Sequence, residues 1–130
     1  MKRMLFIRLA ILFLCPVMVN AGEPEKIRIA VAANGKSTQA SVSNMAAKCP
    51  YYLIFNNKGE LIEVVDNPYR DASGGAGPSA ANFLAGRSIT IVISGNFGSK
   101  MVNTLGNKSV THFEFKGVAD NAVKKVLKLN

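Results

Sequence analysis

The sequence is poor in the residues from which active sites and metal centres are built. It has no tryptophan, one histidine, two cysteines and eight acidic residues among 130. Without a C-x-x-C motif or a pair of histidines, a structural zinc site is excluded. The aspartates and glutamates are scattered along the chain, so they form no cluster of metal ligands such as a ribonuclease-H-like hydrolase requires. The composition therefore favours binding over catalysis.

The N-terminal residues have the pattern of a cleaved signal peptide. Basic residues precede an apolar run at 9–19, and Ala21 stands at a position typical of a cleavage site. The run is too short for a membrane-spanning helix, which needs roughly 20 residues. We therefore predict a signal peptide at 1–21, no stable membrane anchor, and a domain at 22–130 that is periplasmic or otherwise exported.

The positive charge is dispersed. The chain carries a formal net charge of +8, and part of it belongs to the predicted signal peptide. The remaining lysines and arginines are spread along the chain, whereas a nucleic-acid-binding domain gathers them into a patch or stripe. We expect no nucleic-acid partner.

The hydrophobic pattern predicts an α/β domain in the order strand, β-hairpin, helix, strand, helix, strand, helix. Strands are predicted at 26–32, 51–55, 60–65, 89–93 and 110–115, and helices at 78–85, 99–105 and 118–129. Right-handed crossovers, with the hairpin beside the first strand, give a five-stranded mixed sheet of order 3-2-1-4-5 in which strand two is antiparallel.

Two glycine turns precede predicted helices. The first glycine turn is residues 74–77, and the second glycine turn is residues 94–98, directly after a buried strand. A glycine lets the backbone approach a ligand, and a helix N-terminus presents unpaired N–H groups to an anion. The predicted topology places three helix N-termini at one sheet edge, where ligands of α/β sheets bind. The alternative is that these glycines only permit tight turns.

The long loop after the first strand adds further candidates. Asn34 and Gly35 follow the strand directly, and Met45 and Cys49 lie near the end of the loop. Sulfur donors favour copper(I) or an iron–sulfur species over magnesium or calcium. A buried, inert thiol is the competing interpretation of Cys49.

Four segments together carry a resemblance to a known family. They are the first strand at 27–32, residues 42–54 around Cys49, and the two glycine turns. The chain from Ile27 to about Leu127 resembles the dinitrogenase iron–molybdenum cofactor biosynthesis family, which includes NifX, NifY and the C-terminal domain of NifB. The resemblance implies a ribonuclease-H-like, three-layer domain with about three helices. It also implies a non-enzymatic protein that binds or carries metal–sulfur clusters.

The chain departs from the family pattern at one place. Residues 45–48 read Met-Ala-Ala-Lys, where the family typically shows His-Phe-Gly-Arg. The resemblance implies that this histidine contacts the cluster in relatives. Nitrogenase assembly is cytoplasmic, so a protein exported by the predicted signal peptide could not serve it directly. We therefore expect the ligand class of the family for this chain and discount the nitrogenase pathway.

These observations favour an exported carrier or sensor for a small anionic metal–sulfur cluster, iron–sulfur or molybdenum-containing. A donor or recipient metalloprotein is the expected partner. The alternative is a protein-interaction module of the same fold that has lost cluster binding. The candidate ligand-binding residues are Asn34, Gly35, Met45, Cys49, Gly74, Gly75, Gly77, Gly95, Asn96, Phe97 and Gly98, with Cys49 and Met45 as candidate metal ligands.

Overall fold

A five-stranded mixed sheet organises residues 26–129, the part of the chain that a computed structural model describes. The strands are β1 (Ile29–Ala33), β2 (Tyr51–Phe55), β3 (Leu61–Asp66), β4 (Ile91–Ser94) and β5 (Thr111–Glu114), and the helices are α1 (Ala76–Gly86), α2 (Ser99–Asn107) and α3 (Ala119–Leu127). All the predicted elements are present, with bounds shifted by up to three residues. The predicted signal peptide at 1–21 lies outside the described residues.

The strand order is β3-β2-β1-β4-β5, as predicted. β2 pairs antiparallel with both β1 and β3, whereas β4 is parallel to β1 and to β5. Since only β2 runs in the opposite direction, one edge of the sheet collects the ends of the other four strands. This C-terminal edge carries the connections that lead into α1, α2 and α3.

Helices cover both faces of the sheet, which confirms the three-layer α/β fold. Helices α1 and α2 pack on one face through a core that includes Tyr52, Leu84 and Met101. Helix α3 packs on the other face, where its Val123 shares a core with Leu53 of β2. All five residues of β1 are buried, which explains why this strand is uniformly apolar. No helix among residues 26–129 is long and apolar enough to cross a membrane.

Two helices end at a serine in the left-handed conformation. Ser88 follows α1 with φ 65°, and Ser109 follows α2 with φ 60°. In each case the next N–H bonds back into the last helical turn, to Leu84 O at 3.2 Å and to Leu105 O at 2.9 Å. Glycine is the residue favoured at this position, because a Cβ strains the left-handed conformation.

Replacing either serine with glycine is therefore expected to stabilise the protein. Relief of a strain of roughly 1–2 kcal/mol outweighs the entropic cost of glycine, roughly 0.5–1 kcal/mol. We expect Ser88→Gly and Ser109→Gly each to raise the free energy of unfolding by about 0.5 kcal/mol, measured by urea denaturation. Ser79→Gly, inside α1, is the control and should lower it. Loss of stability in both Ser88→Gly and Ser109→Gly would contradict the prediction.

Candidate functional site

An irregular segment crosses the C-terminal edge between β1 and β2. This wall segment, residues 43–49, has no helix or ladder of its own. The Ser43 N–H donates to Ala32 O at 2.7 Å, and Ser43 O accepts the Gly95 N–H at 2.7 Å and the Ser94 hydroxyl at 2.9 Å. The wall segment is thereby bonded to the second glycine turn.

Gly95 is required by this contact. A Cβ there would overlap Asn44 Oδ1 and would lie 3.2 Å from both Asn44 Cα and Ser43 O. The Gly95 N–H already donates to Ser43, so it does not point a free donor at a ligand. The absence of a side chain at Gly95 lets the wall segment, and not a ligand, come close to its backbone in this structure. A ligand contact at Gly95 stays a prediction.

A cavity of about 420 Å³ lies between the wall segment and the first turns of α1 and α2. The two helices touch here, because a Cβ on Gly77 would come within 3.2 Å of the backbone nitrogen of Met101. Their N-termini therefore open into one space, here named the helix pocket. It is lined by Ala47, Lys48, Gly75, Ala76, Gly77, Pro78, Gly98, Ser99, Lys100 and Met101.

The helix pocket presents unpaired backbone donors and two lysines. Within residues 26–129, no hydrogen-bond acceptor lies at the N–H groups of Ala76, Gly77, Ser99 and Lys100. Neither helix has a side-chain cap or an acidic residue in its first turn. Lys48 and Lys100 add formal charge, and no Asp or Glu lines the cavity. Both the helix termini and the lysines favour an anion.

A smaller cavity, here named the turn pocket, adjoins the helix pocket. It measures about 230 Å³ and shares Ala47, Lys48 and Gly98 with the helix pocket. The Lys116 ammonium lies 3.5 Å from Asn44 Oδ1 and 3.4 Å from Gly95 O, beside this cavity. The remaining lining residues are Asn44, Met45, Ala46, Asn96 and Phe97.

Phe97, which lines the turn pocket, contacts the single histidine of the chain. Its ring packs edge-on against His112 of β5, with 4.9 Å between the ring centroids. His112 thus supports a residue of the cavity lining from the neighbouring strand. Within residues 26–129, no three His, Cys, Asp or Glu side chains lie close enough together to hold a metal ion.

The two sulfur residues of the wall segment face different environments. Met45 is 53% exposed and lines the turn pocket. Cys49 is fully buried in the core behind the wall segment. Burial raises the pKa of the Cys49 thiol to about 11, so the thiol is protonated at neutral pH. A Cys49 ligand therefore requires movement of the wall segment, and stays a prediction.

The loop directly after β1 does not reach either cavity. Asn34 bonds to Ser41 twice, from its backbone N–H at 3.0 Å and from its side-chain Nδ2 at 2.8 Å. A Cβ on Gly35 would lie 3.2 Å from the Ala40 side chain. These contacts fold residues 34–41 back on themselves. Asn34 and Gly35 therefore stabilise the loop in this structure and do not line a cavity.

The third helix N-terminus is not available to a ligand. The N–H groups of Ala119 and Asp120, at the start of α3, donate to Ala40 O and Thr38 O, both at 2.9 Å. Helix α3 also lies on the opposite face of the sheet from α1 and α2. The three helix N-termini lie at one edge of the sheet, as predicted, but within residues 26–129 only those of α1 and α2 open into a common cavity.

The sequence model of the family described as dinitrogenase iron-molybdenum cofactor matches residues 25–129. The chain belongs to this family. The match spans every element of the domain, which confirms the resemblance noted from the sequence. A comparison with curated proteins gives no match.

Solved structures share the fold of this dinitrogenase cofactor family member. The apo form of the orange protein from Desulfovibrio gigas superimposes with a TM-score of 0.74 at 24% identity, covering 82% of this chain and 91% of that chain. A Thermotoga protein described as a candidate NifB gives 0.65 at 26% identity, covering 78% and 87%. A candidate dinitrogenase from Methanocaldococcus jannaschii gives 0.58 at 14% identity, covering 81% and 91%.

In this family member the structure divides the predicted site residues into two groups. Those that line a cavity are Met45, Gly75, Gly77, Asn96, Phe97 and Gly98. Those that line neither cavity are Asn34, Gly35, Cys49, Gly74 and Gly95. The lining residues that the sequence analysis missed are Asn44, Ala46, Ala47, Lys48, Ala76, Pro78, Ser99, Lys100 and Met101. A usable signal existed for Lys100, which stands in the first turn of a predicted helix.

Proposed function

We propose that this family member is an exported, non-enzymatic carrier or sensor that binds a small anionic metal–sulfur cluster in the helix pocket. One observation carries the proposal: two uncapped helix N-termini converge with Lys48 and Lys100 on a cavity whose lining has no carboxylate. Family membership supports the link to iron–molybdenum cofactor chemistry. The predicted signal peptide at 1–21 supports export.

The donor set of the cavities fits an anion that brings its own sulfur. N–H groups and ammonium groups bond to sulfide or oxo atoms at the surface of a cluster, but they offer no electron pair to a bare cation. Met45 is the exposed sulfur donor at the border of the site. A cluster with net negative charge therefore matches the site, and an isolated divalent ion does not.

The same donor set supports a carrier role. A cluster held through its outer atoms leaves without breaking a bond between metal and protein, so a donor or recipient metalloprotein exchanges it readily. No acid–base pair lines either cavity, which supports a role without catalysis. We therefore propose a metalloprotein as the exchange partner.

A second candidate function follows from an exposed strand. Ile62 and Val64 of the edge strand β3 are 48% and 39% exposed, and unpaired edge strands pair with other chains. The protein would then act as an interaction module that has lost cluster binding. Complex formation that is lost in an Ile62→Lys variant and retained in a Lys100→Gln variant would favour this candidate.

The proposal is tested with tetrathiomolybdate as the probe, added anaerobically, alongside metal and sulfide analysis of natively isolated protein. We expect binding that weakens as salt is raised. Lys100→Gln should weaken it at least tenfold, because a hydrogen bond to a charged group contributes about 1.5–3 kcal/mol and about 1.4 kcal/mol is a factor of ten. Lys108→Gln, at the other end of α2, is the matched control and should bind as wild type. Repeated absence of metal and sulfide, with no uptake of the probe, would overturn the proposal.

A further inference from the structure

The buried polar side chains of residues 26–129 converge on the wall segment. Ser43, Asn67 and Ser94 are the polar residues other than tyrosine that are buried there, each at most 3% exposed. Ser43 Oγ accepts the Met45 N–H at 3.0 Å, and the Ser94 hydroxyl donates to Ser43 O. These buried polar groups therefore all bond to the wall segment or belong to it. The wall segment contributes lining residues to both cavities.

Asn67 holds the C-terminal half of the wall segment. Its Nδ2 donates to Ala47 O and to Cys49 O, both at 2.8 Å. Its Oδ1 accepts the Tyr69 N–H at 2.9 Å, and its own N–H donates to Pro50 O at 3.1 Å. Since Asn67 follows β3 directly, it ties the wall segment to the connection that leads into α1.

Tyr52 holds the middle of the wall segment. Its hydroxyl donates to Ala46 O at 2.5 Å, and burial raises its pKa well above the usual value, so the hydroxyl remains a donor. The carbonyls of Ala46, Ala47 and Cys49 are therefore all bonded from the core side. Lys48, between two of them, lines both cavities.

We propose that Tyr52 and Asn67 are positioning residues that hold the wall segment against the helix pocket and so set its affinity. The inference rests on the proposed function, because the affinity concerned is that for the anionic cluster. Neither residue lines a cavity. Opening the wall segment breaks their bonds to its carbonyls and leaves the buried Tyr52 hydroxyl and Asn67 amide without acceptors, and a buried donor without a partner costs about 1–3 kcal/mol. The closed conformation is therefore preorganised for the ligand.

Cys49 is a built-in reporter of the wall segment. Its side chain is fully buried behind the segment, so a thiol reagent reaches it only when the segment opens or the domain unfolds. Iodoacetamide labelling without probe, followed by mass analysis of the peptide that contains Cys49, measures this opening. The dissociation constant for tetrathiomolybdate is measured in a second experiment on unlabelled protein.

The decisive variant is Tyr52→Phe, which removes one hydroxyl and keeps the buried ring. We expect about tenfold faster labelling of Cys49 and a dissociation constant raised severalfold. Asn67→Asp replaces the amide donor with a carboxylate oxygen, which cannot donate to the carbonyls of Ala47 and Cys49. It should therefore increase both the labelling rate and the dissociation constant more than Tyr52→Phe does. Thr90→Val is the matched control, because the Thr90 hydroxyl bonds to the backbone of Arg28 beyond the opposite edge of the sheet. It should lose stability and leave labelling in native buffer and affinity unchanged.

The outcomes separate this inference from the proposed function. The positioning role is overturned if Tyr52→Phe labels at the wild-type rate and binds with wild-type affinity. It is also overturned if Thr90→Val, at the same stability as Tyr52→Phe, changes labelling and affinity as much as Tyr52→Phe does. Absence of probe binding by the wild type refutes the proposed function and with it the effect on affinity. The labelling rates then still decide whether Tyr52 holds the wall segment.

Discussion

Replacing Gly98 with valine is expected to weaken binding of tetrathiomolybdate at least 100-fold while leaving the domain folded. Gly98 lines both cavities, and a Cβ there meets no atom within 4 Å. Its backbone is extended, with φ −78° and ψ 152°, which a β-branched residue accepts. Because Gly98 is shared by both linings, we expect the valine side chain to occupy space where the cavities meet. Anaerobic titration of the probe measures the loss, and urea denaturation measures stability.

Gly86→Val is the matched control for this prediction. Gly86 is the last residue of α1, far along the helix from the helix pocket, and a Cβ there also meets no atom within 4 Å. We expect wild-type affinity from this variant. The Gly98 variant should lose only about 0.5–1 kcal/mol of stability, as for a helix cap that changes from glycine to an aliphatic residue. Wild-type affinity in Gly98→Val would remove the junction of the cavities from the binding site.

The order of the sheet was predictable because the signals for it are local. β1 is uniformly apolar because it is buried on both faces, and the hairpin of β2 and β3 turns around Gly59 with φ 80°. These features, with right-handed crossovers, leave few topologies open. The bounds moved where burial decides them, as in β1, which begins at Ile29 and not at Lys26.

The binding site was predictable only in part, because its walls come from non-local contacts. The glycine turns correctly predicted where α1 and α2 begin. Gly75, Gly77 and Gly98 line the helix pocket. The sequence carries no local sign that Ala40 and Thr38 accept the first N–H groups of α3, which removed the third helix N-terminus from the site. Tertiary packing alone decides such pairings.

The departure from the family pattern falls on the wall segment. Residues 45–48 stand where the resemblance leads one to expect His-Phe-Gly-Arg, and the structure places Met45 and Lys48 on the cavity side of this segment. Ala46 is buried and bonded through its carbonyl to Tyr52, a contact that does not depend on its side chain. The change therefore alters what the ligand meets and leaves the support of the wall segment in place.

Replacing Gly95 with alanine is expected to lower the free energy of unfolding by about 1–3 kcal/mol, the usual cost of overpacking. A Cβ at this position overlaps Asn44 Oδ1 and comes within 3.2 Å of Asn44 Cα and Ser43 O. The Asn44 side chain is exposed and can rotate away. The backbone of Ser43 cannot, because it bonds to Ala32, Ser94 and Gly95. Urea denaturation measures the loss.

Two further variants identify which contact causes the loss of stability. Asn44→Ala combined with Gly95→Ala removes the overlap with the Asn44 side chain and should restore only part of the stability, since the two backbone contacts remain. Gly98→Ala, in the same glycine turn and facing open space, should cost little. Gly95→Ala should also label faster at Cys49, because the displaced Ser43 loosens the wall segment at its first anchor. Wild-type stability in Gly95→Ala would mean that residues 43–44 move freely, and a wall segment free to move there could not preorganise the helix pocket.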